Sequence, residues 1–185
     1  MARLFVAIEI PASLAAALLA TVPVAQGLRV ASPDQVHLTL HFLGDCEPAQ
    51  AGAVELALAG VQGEPLVLAA RGAGRFRGRQ GSVLWAGVEI SPALAALHAA
   101  TGEVLAGAGI APDKRGFHPH LTLARCRAGL AEAQIRAWLA AARSLASPTW
   151  TASRFVLFES HLLPDGARHI CRRAYGLGAL PPLDA

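Results

Sequence analysis

The chain carries His-Leu-Thr-Leu twice, at His37-Leu38-Thr39-Leu40 and at His120-Leu121-Thr122-Leu123, each inside an apolar run of alternating character. In an extended strand successive side chains point to opposite faces, so the His and Thr of each copy share one face while the leucines turn into a core. An imidazole titrates near neutrality and can give or take a proton, and a threonine hydroxyl can donate a hydrogen bond to a phosphoryl oxygen. Two such strands facing each other supply an acid, a base and two anion donors, which suits phosphate chemistry. The copies lie nearly half the chain apart, a separation that fits an internal duplication better than an array of short repeats.

Other readings of the histidines are weaker. A lone histidine is more often a satisfied strand-edge residue, but the repetition argues against that reading here. His37 and His41 have the i, i+4 spacing of a helical metal pair, yet on a strand they stand about 13 Å apart at roughly 3.3 Å per residue, too far for one ion. His118 and His120 approach each other more closely but have no carboxylate or cysteine cluster beside them. No metal and no cofactor is therefore expected, and His41 and His118 are read as rim residues near substrate. Alternation puts Phe42 on the core side, as packing.

The elements that must hold these strands follow from composition and punctuation. At 185 residues, 54% hydrophobic and 16% charged, the chain can bury a full core. The formal net charge of +3 permits an anionic partner without demonstrating one. Cys46, Cys126 and Cys171 show no C-x-x-C spacing, which suggests neither a disulfide framework nor a cysteine zinc site, and a reducing cytoplasm is the expected setting. Glu9 and Pro11 interrupt the apolar start, so neither a signal peptide nor a membrane anchor is expected.

Strands are expected over Arg3 to Ile10, Val36 to Leu43 with Gly44 as its stop, Leu66 to Ala70, Ser82 to Ile90, Leu121 to Cys126, Thr149 to Ser160 and His169 to Leu177. Helices are expected from Pro11 to about Leu19, Glu47 to Ala59, Ser91-Pro92 to about Ala106, and Leu130 to Ala142. Val22 to Asp34 reads as turn-like, a connection runs through Pro112, and Pro164-Asp165-Gly166 reads as a turn. Arg71 to Gly81, rich in glycine and arginine, reads as a loop. Its Arg71, Arg75, Arg77 and Arg79, with Phe76 among them, read as candidate substrate contacts or as a merely solvated basic loop. The expected architecture is α+β: two pseudo-symmetric lobes in one domain over 1–185, each an antiparallel sheet with helices on its outer side, facing across a central cleft.

These motifs resemble those of the two-histidine (2H) phosphoesterase superfamily, and within it the bacterial and archaeal RNA 2′,3′-cyclic phosphodiesterases, historically called LigT or 2′-5′ RNA ligases. The resemblance rests on both His-x-Thr-x motifs and their settings: Arg3-Leu4-Phe5-Val6-Ala7, His37-Leu38-Thr39-Leu40-His41-Phe42-Leu43-Gly44 and Phe117-His118-Pro119-His120-Leu121-Thr122-Leu123-Ala124-Arg125. The strand Val83-Leu84-Trp85-Ala86-Gly87-Val88 and the segment Leu157-Phe158-Glu159-Ser160 extend it over nearly the whole chain. Family members often carry a tryptophan shortly before the first motif, where this chain has Leu28-Arg29-Val30. They also often carry a tyrosine after the glycine turn, where this chain has Arg168-His169.

The resemblance implies hydrolysis of a 2′,3′-cyclic phosphate, on an RNA end or a free nucleotide, to a 2′-phosphomonoester. It implies His37 as proton donor to the departing oxygen, His120 as the base that activates water, and Thr39 and Thr122 as holders of the non-bridging oxygens. Arg125 is a motif residue on the same grounds, open between a substrate contact and an ion pair, because alternation points it away from His120 unless the strand twists or ends. One imidazole must be charged and the other neutral, so a bell-shaped pH dependence is expected. Reversible 2′-5′ RNA ligation, 2′-5′ oligonucleotide cleavage and a noncatalytic RNA-binding module are the alternatives. A monomer acting away from membranes is the default.

Overall fold

The structure, a computed structural model, describes residues 1–111, 116–163 and 166–178. Pro112 and the Pro164-Asp165 portion of the expected turn lie outside these residues. The chain runs β1 (Ala2–Glu9), α1 (Ala12–Leu19), β2 (Leu28–Val30), β3 (His37–Cys46), α2 (Pro48–Ala59), β4 (Leu66–Leu68), β5 (Ala70–Gly78), β6 (Gly81–Val88), α3 (Pro92–Gly107), β7 (His120–Arg127), α4 (Glu132–Ala141), β8 (Trp150–Ala152), β9 (Arg154–Leu163) and β10 (Gly166–Gly176).

The helix starts follow their local chemistry. Pro11 precedes α1, Pro48 opens α2, and Ser91 caps α3 by accepting a hydrogen bond from the Leu94 amide at 3.1 Å, with Pro92 in the first turn. All four helices place side chains in the main core, beside Leu4, Val6, Ile8, Leu38, Leu40, Leu121 and Leu123 of the strands. On the other face of the sheet Phe5, Ala7, Val156 and Phe158 form a small apolar cluster of their own. Both faces of β1 are therefore covered, which is why its sequence reads as an unbroken apolar run rather than an alternation.

The strands pair antiparallel in the order β10-β9-β1-β3-β7-β6-β5, with β2 beside β7, and β4 pairs separately with β8. The two half-sheets of the expected lobes, β10-β9-β1-β3 and β7-β6-β5, meet at the two His-Leu-Thr-Leu strands through one residue pair, Leu38 opposite Leu121. They form one sheet with a seam at its centre.

Four local expectations need correction. Arg71 to Gly81 is not a loop: most of it is β5, paired with β6. Its glycines serve close approach, since a Cβ on Gly74 would lie 2.3 Å from the Trp85 ring that crosses it. Gly44 does not stop β3; it adopts φ +75 inside the strand, which continues to Cys46. The segment read as turn-like holds β2, whose backbone pairs with β7. Thr149 to Ser160 is two strands in different sheets, broken at Ser153.

Candidate active site

The Leu38–Leu121 pair fixes the geometry of the seam. In antiparallel register it sets His37 opposite Thr122 and Thr39 opposite His120, with all four side chains on the face away from the helices. Each histidine is anchored by the same device. The His120 Nδ1 donates to the His118 carbonyl at 2.7 Å, and the His37 ring donates to the carbonyl of Gln35, also two residues upstream. For His120 this assigns the neutral tautomer with Nε2 as the acceptor.

A cleft of about 570 Å³ opens over this face, and His37, Thr122 and Arg125 line it. Thr39 and His120 are half-buried and are not among the residues that line it; His120 lies on β7, which pairs with β6 on its other side. The walls differ. His37 sits against Phe5 (ring centroids 4.9 Å), Phe158 (6.2 Å) and, edge-on, His169 (5.2 Å). His120 sits edge-on against Phe76 at 4.9 Å and near Trp85 at 6.2 Å, and both of these also touch His118. Phe76 is thus packed on the His120 side, with exposed His118 against it, and neither is among the residues that line the cleft.

These surroundings lower the basicity of both rings. Burial, together with the nearby His169, pushes His37 down to about 4 against the pull of its bond to Gln35. Burial likewise lowers His120, opposed by the hydrogen bond to His118 and assisted by the charges of His118 and Arg125.

Two β-bulges relocate residues that strict alternation misplaces. In β3, Ala7 pairs with Thr39 but Val6 pairs with His41, so one extra residue reverses the faces beyond Thr39. His41 is consequently not at the rim. It turns to the helix side, where its Nε2 lies 2.9 Å from the His98 carbonyl and 3.0 Å from the Thr101 hydroxyl. Phe42 goes the other way, out of the core, and stands 63% exposed on the cleft wall. In β7, Trp85 pairs with Thr122 and Leu84 with Ala124, which skips Leu123 and lets Arg125 reach the cleft.

Arg125 faces Arg29 across the β2–β7 pair, and Arg3 lines the same cleft; among the described residues none of the three is ion-paired. The arginines of β5 behave differently. Arg75 is held bidentate by Glu132 of α4 at 2.8 Å, Arg77 reaches the same carboxylate at 3.8 Å, and Arg71 meets Glu89 at 3.5 Å. Structural ion pairing thus engages three of the four arginines read as either substrate contacts or a solvated basic loop.

Sequence reasoning missed Arg29, which fell in a segment read as a turn, and the packing roles of Phe5 and Phe158. It also missed Gln35, whose side-chain amide donates to the Ala167 carbonyl at 2.7 Å and ties β10 to the turn before His37. Among the described residues no group of three His, Cys, Asp or Glu side chains is placed to hold a metal ion, and no helix is long and apolar enough to cross a membrane.

Comparison with known proteins follows the same lines. The family model of the 2′-5′ RNA ligase superfamily matches residues 11–162. The RNA 2′,3′-cyclic phosphodiesterase of Geobacillus stearothermophilus is 34% identical over 134 residues, 70% of this chain and 41% of that protein. The one of Aeropyrum pernix is 30% identical over 102 residues, 54% of this chain and 58% of that protein. The matched regions thus span less than two thirds of these relatives' own lengths. The crystal structure of E. coli LigT complexed with 3′-AMP superimposes with a TM-score of 0.75 over 96% of this chain and 99% of that one, at 23% identity, a likeness of fold.

Proposed function

This chain belongs to the 2′-5′ RNA ligase superfamily, and from that premise we propose that it is an RNA 2′,3′-cyclic phosphodiesterase, opening the cyclic phosphate of an RNA end or nucleotide to a 2′-phosphomonoester. The observation that carries this reading is the crossed arrangement at the seam, with His37 opposite Thr122 and Thr39 opposite His120 on one face. A cyclic phosphodiester needs water activated on one side of phosphorus and a proton delivered to the departing oxygen on the other, roughly in line. In the proposed reaction His120 Nε2 takes the proton of the attacking water, and the new P–O bond forms as the P–O3′ bond breaks. His37 gives its proton to O3′. The Thr39 and Thr122 hydroxyls donate to the non-bridging oxygens where negative charge accumulates. Arg125, without a carboxylate partner among the described residues and on the cleft wall, supplies positive charge to the same anion.

His37 must be charged to act as the acid, whereas burial keeps it neutral at pH 7 in the ligand-free protein. The bound phosphodiester resolves this, because an adjacent negative charge favours the imidazolium. The same reading treats residues 1–185 as one domain of two interleaved lobes, supported by the return of β9 to pair with β1.

The test is phosphorus NMR of the protein with adenosine 2′,3′-cyclic phosphate in the presence of a chelator, beside His37→Ala and His120→Ala. The expected outcome is conversion to the 2′-monophosphate, slowed at least about a hundredfold in each variant. A 3′-monophosphate product, or undiminished turnover in either variant, would overturn the assignment of roles. Absence of turnover by the unmodified protein would overturn the reaction itself.

A further inference from the structure

His169 of β10 sits at the cleft beside His37 and has no role in the scheme above. It pairs with Ser160 across β9–β10, stands edge-on to His37 at 5.2 Å and to Phe5 at 4.9 Å, and lines the cleft. Its Nδ1 is buried and has no hydrogen-bond partner among the described residues. A buried N–H without an acceptor costs about 1–3 kcal/mol, so such an atom calls for an explanation. The less costly state leaves Nδ1 as a bare lone pair and puts the proton on Nε2. Burial also lowers the His169 pKa and so favours the neutral ring, against the opposing pull of the Asp34 carboxylate. His120 has the opposite tautomer, with its proton on Nδ1, because its Nδ1 is bonded to a carbonyl. The strand that carries the ring is tied to the first motif: Gln35, whose own carbonyl anchors His37, donates its side-chain amide to the Ala167 carbonyl at 2.7 Å.

We propose that His169 is a third substrate-contacting residue, a neutral imidazole whose Nε2–H donates a hydrogen bond to an oxygen of the phosphate group bound next to His37. The inference rests on the phosphodiesterase reading for the identity of that phosphate, while the tautomer stands on this structure alone. No bond is made or broken at His169. It adds a donor to the two threonine hydroxyls without adding a charge, and leaves the proton transfers to His37 and His120.

Nitrogen NMR of the histidine-labelled protein, ligand-free at pH 7, reads the tautomer directly, with His169→Phe identifying the signal. The expected result is a protonated Nε2 and a bare Nδ1 for His169; a proton on Nδ1 overturns the proposal. The second arm measures binding of adenosine 2′-monophosphate by calorimetry and turnover of adenosine 2′,3′-cyclic phosphate. His169→Phe keeps the ring packing and removes the donor, and should weaken product binding and raise KM about tenfold with kcat within about threefold. His169→Gln, which can present an amide N–H near the Nε2 position, should recover most of that loss. Equal loss in both variants, or unchanged binding in His169→Phe, overturns the contact. A protein that turns over no cyclic phosphate would refute the proposed function, and the tautomer and binding measurements would still decide the case of His169.

Discussion

Two neutral imidazoles at pH 7 make an unusual starting point for paired acid and base catalysis. If His37 is the acid and His120 the base, the working form of the free protein carries its proton on the ring that burial has pushed down to about 4, and none on its partner. Raising the pH removes the proton from His37, and lowering it protonates His120. We therefore expect kcat/KM to be level between about pH 4 and the depressed value of His120, and to fall about tenfold per pH unit above roughly pH 6.5. The alkaline limb of kcat should lie at higher pH, since the bound anion raises His37. A pH series of initial rates checks both limbs, and a kcat/KM that stays level from pH 5 to 8 would contradict the paired roles.

At the scale of the elements, the strand β5 and its contact with Trp85 govern the His120 wall. Gly74→Ala would set a methyl group 2.3 Å from the Trp85 ring, which pairs in register with Thr122 and packs near His120. We expect a loss of about 1–3 kcal/mol in urea unfolding, together with reduced turnover. Gly52→Ala, in the helix α2 where a new Cβ meets nothing, should stabilise by up to about 1 kcal/mol and leave turnover alone. If Gly74→Ala behaves like Gly52→Ala, the packing argument for β5 fails.

The same strand shows what a sequence can and cannot disclose. The two His-Leu-Thr-Leu strands were legible because strand alternation is a strong and regular signal, and helix starts because Pro48 and Ser91-Pro92 have local causes. β5 was not, because its glycines and arginines resemble loop composition until the partners are known: the Trp85 ring over Gly74 and the Glu132 carboxylate on Arg75. His41 and Phe42 were assigned to the wrong side, and Arg125 was left open, for one reason. Each lies beyond a bulge, and one extra residue reverses every assignment that follows it. His169 could be noticed as a departure from a familiar pattern, but only the pairing of β9 with β10 brings it to His37.

For the molecule as a whole, the buried histidines tie stability to pH. His37, His98, His120 and His169 all have native pKa values below the ordinary one, chiefly because of burial. The unfolded chain therefore binds more protons than the native one in the window below about pH 6.5. Their contribution is present above that value and is lost as pH falls through the native values, toward about 4 for His37. The urea midpoint should drop between pH 7 and pH 5, before the carboxylates titrate. A midpoint constant over that range would contradict the burial of these rings.

A half-turn about the Leu38–Leu121 pair carries His37 onto His120 and Thr122 onto Thr39. A tetrahedral phosphorus lying over the seam thus meets the same four groups whichever way round it lies. The repeated motif has no preferred direction, and by itself it would let either ester oxygen of a cyclic phosphate depart. Direction enters through the unlike flanks, with Phe5, Phe158 and His169 on one side and Phe76, Trp85 and His118 on the other, and through Arg125 where the first half has Phe42. The regiochemistry of the proposed reaction is therefore a property of the residues that differ between the two halves rather than of those that repeat.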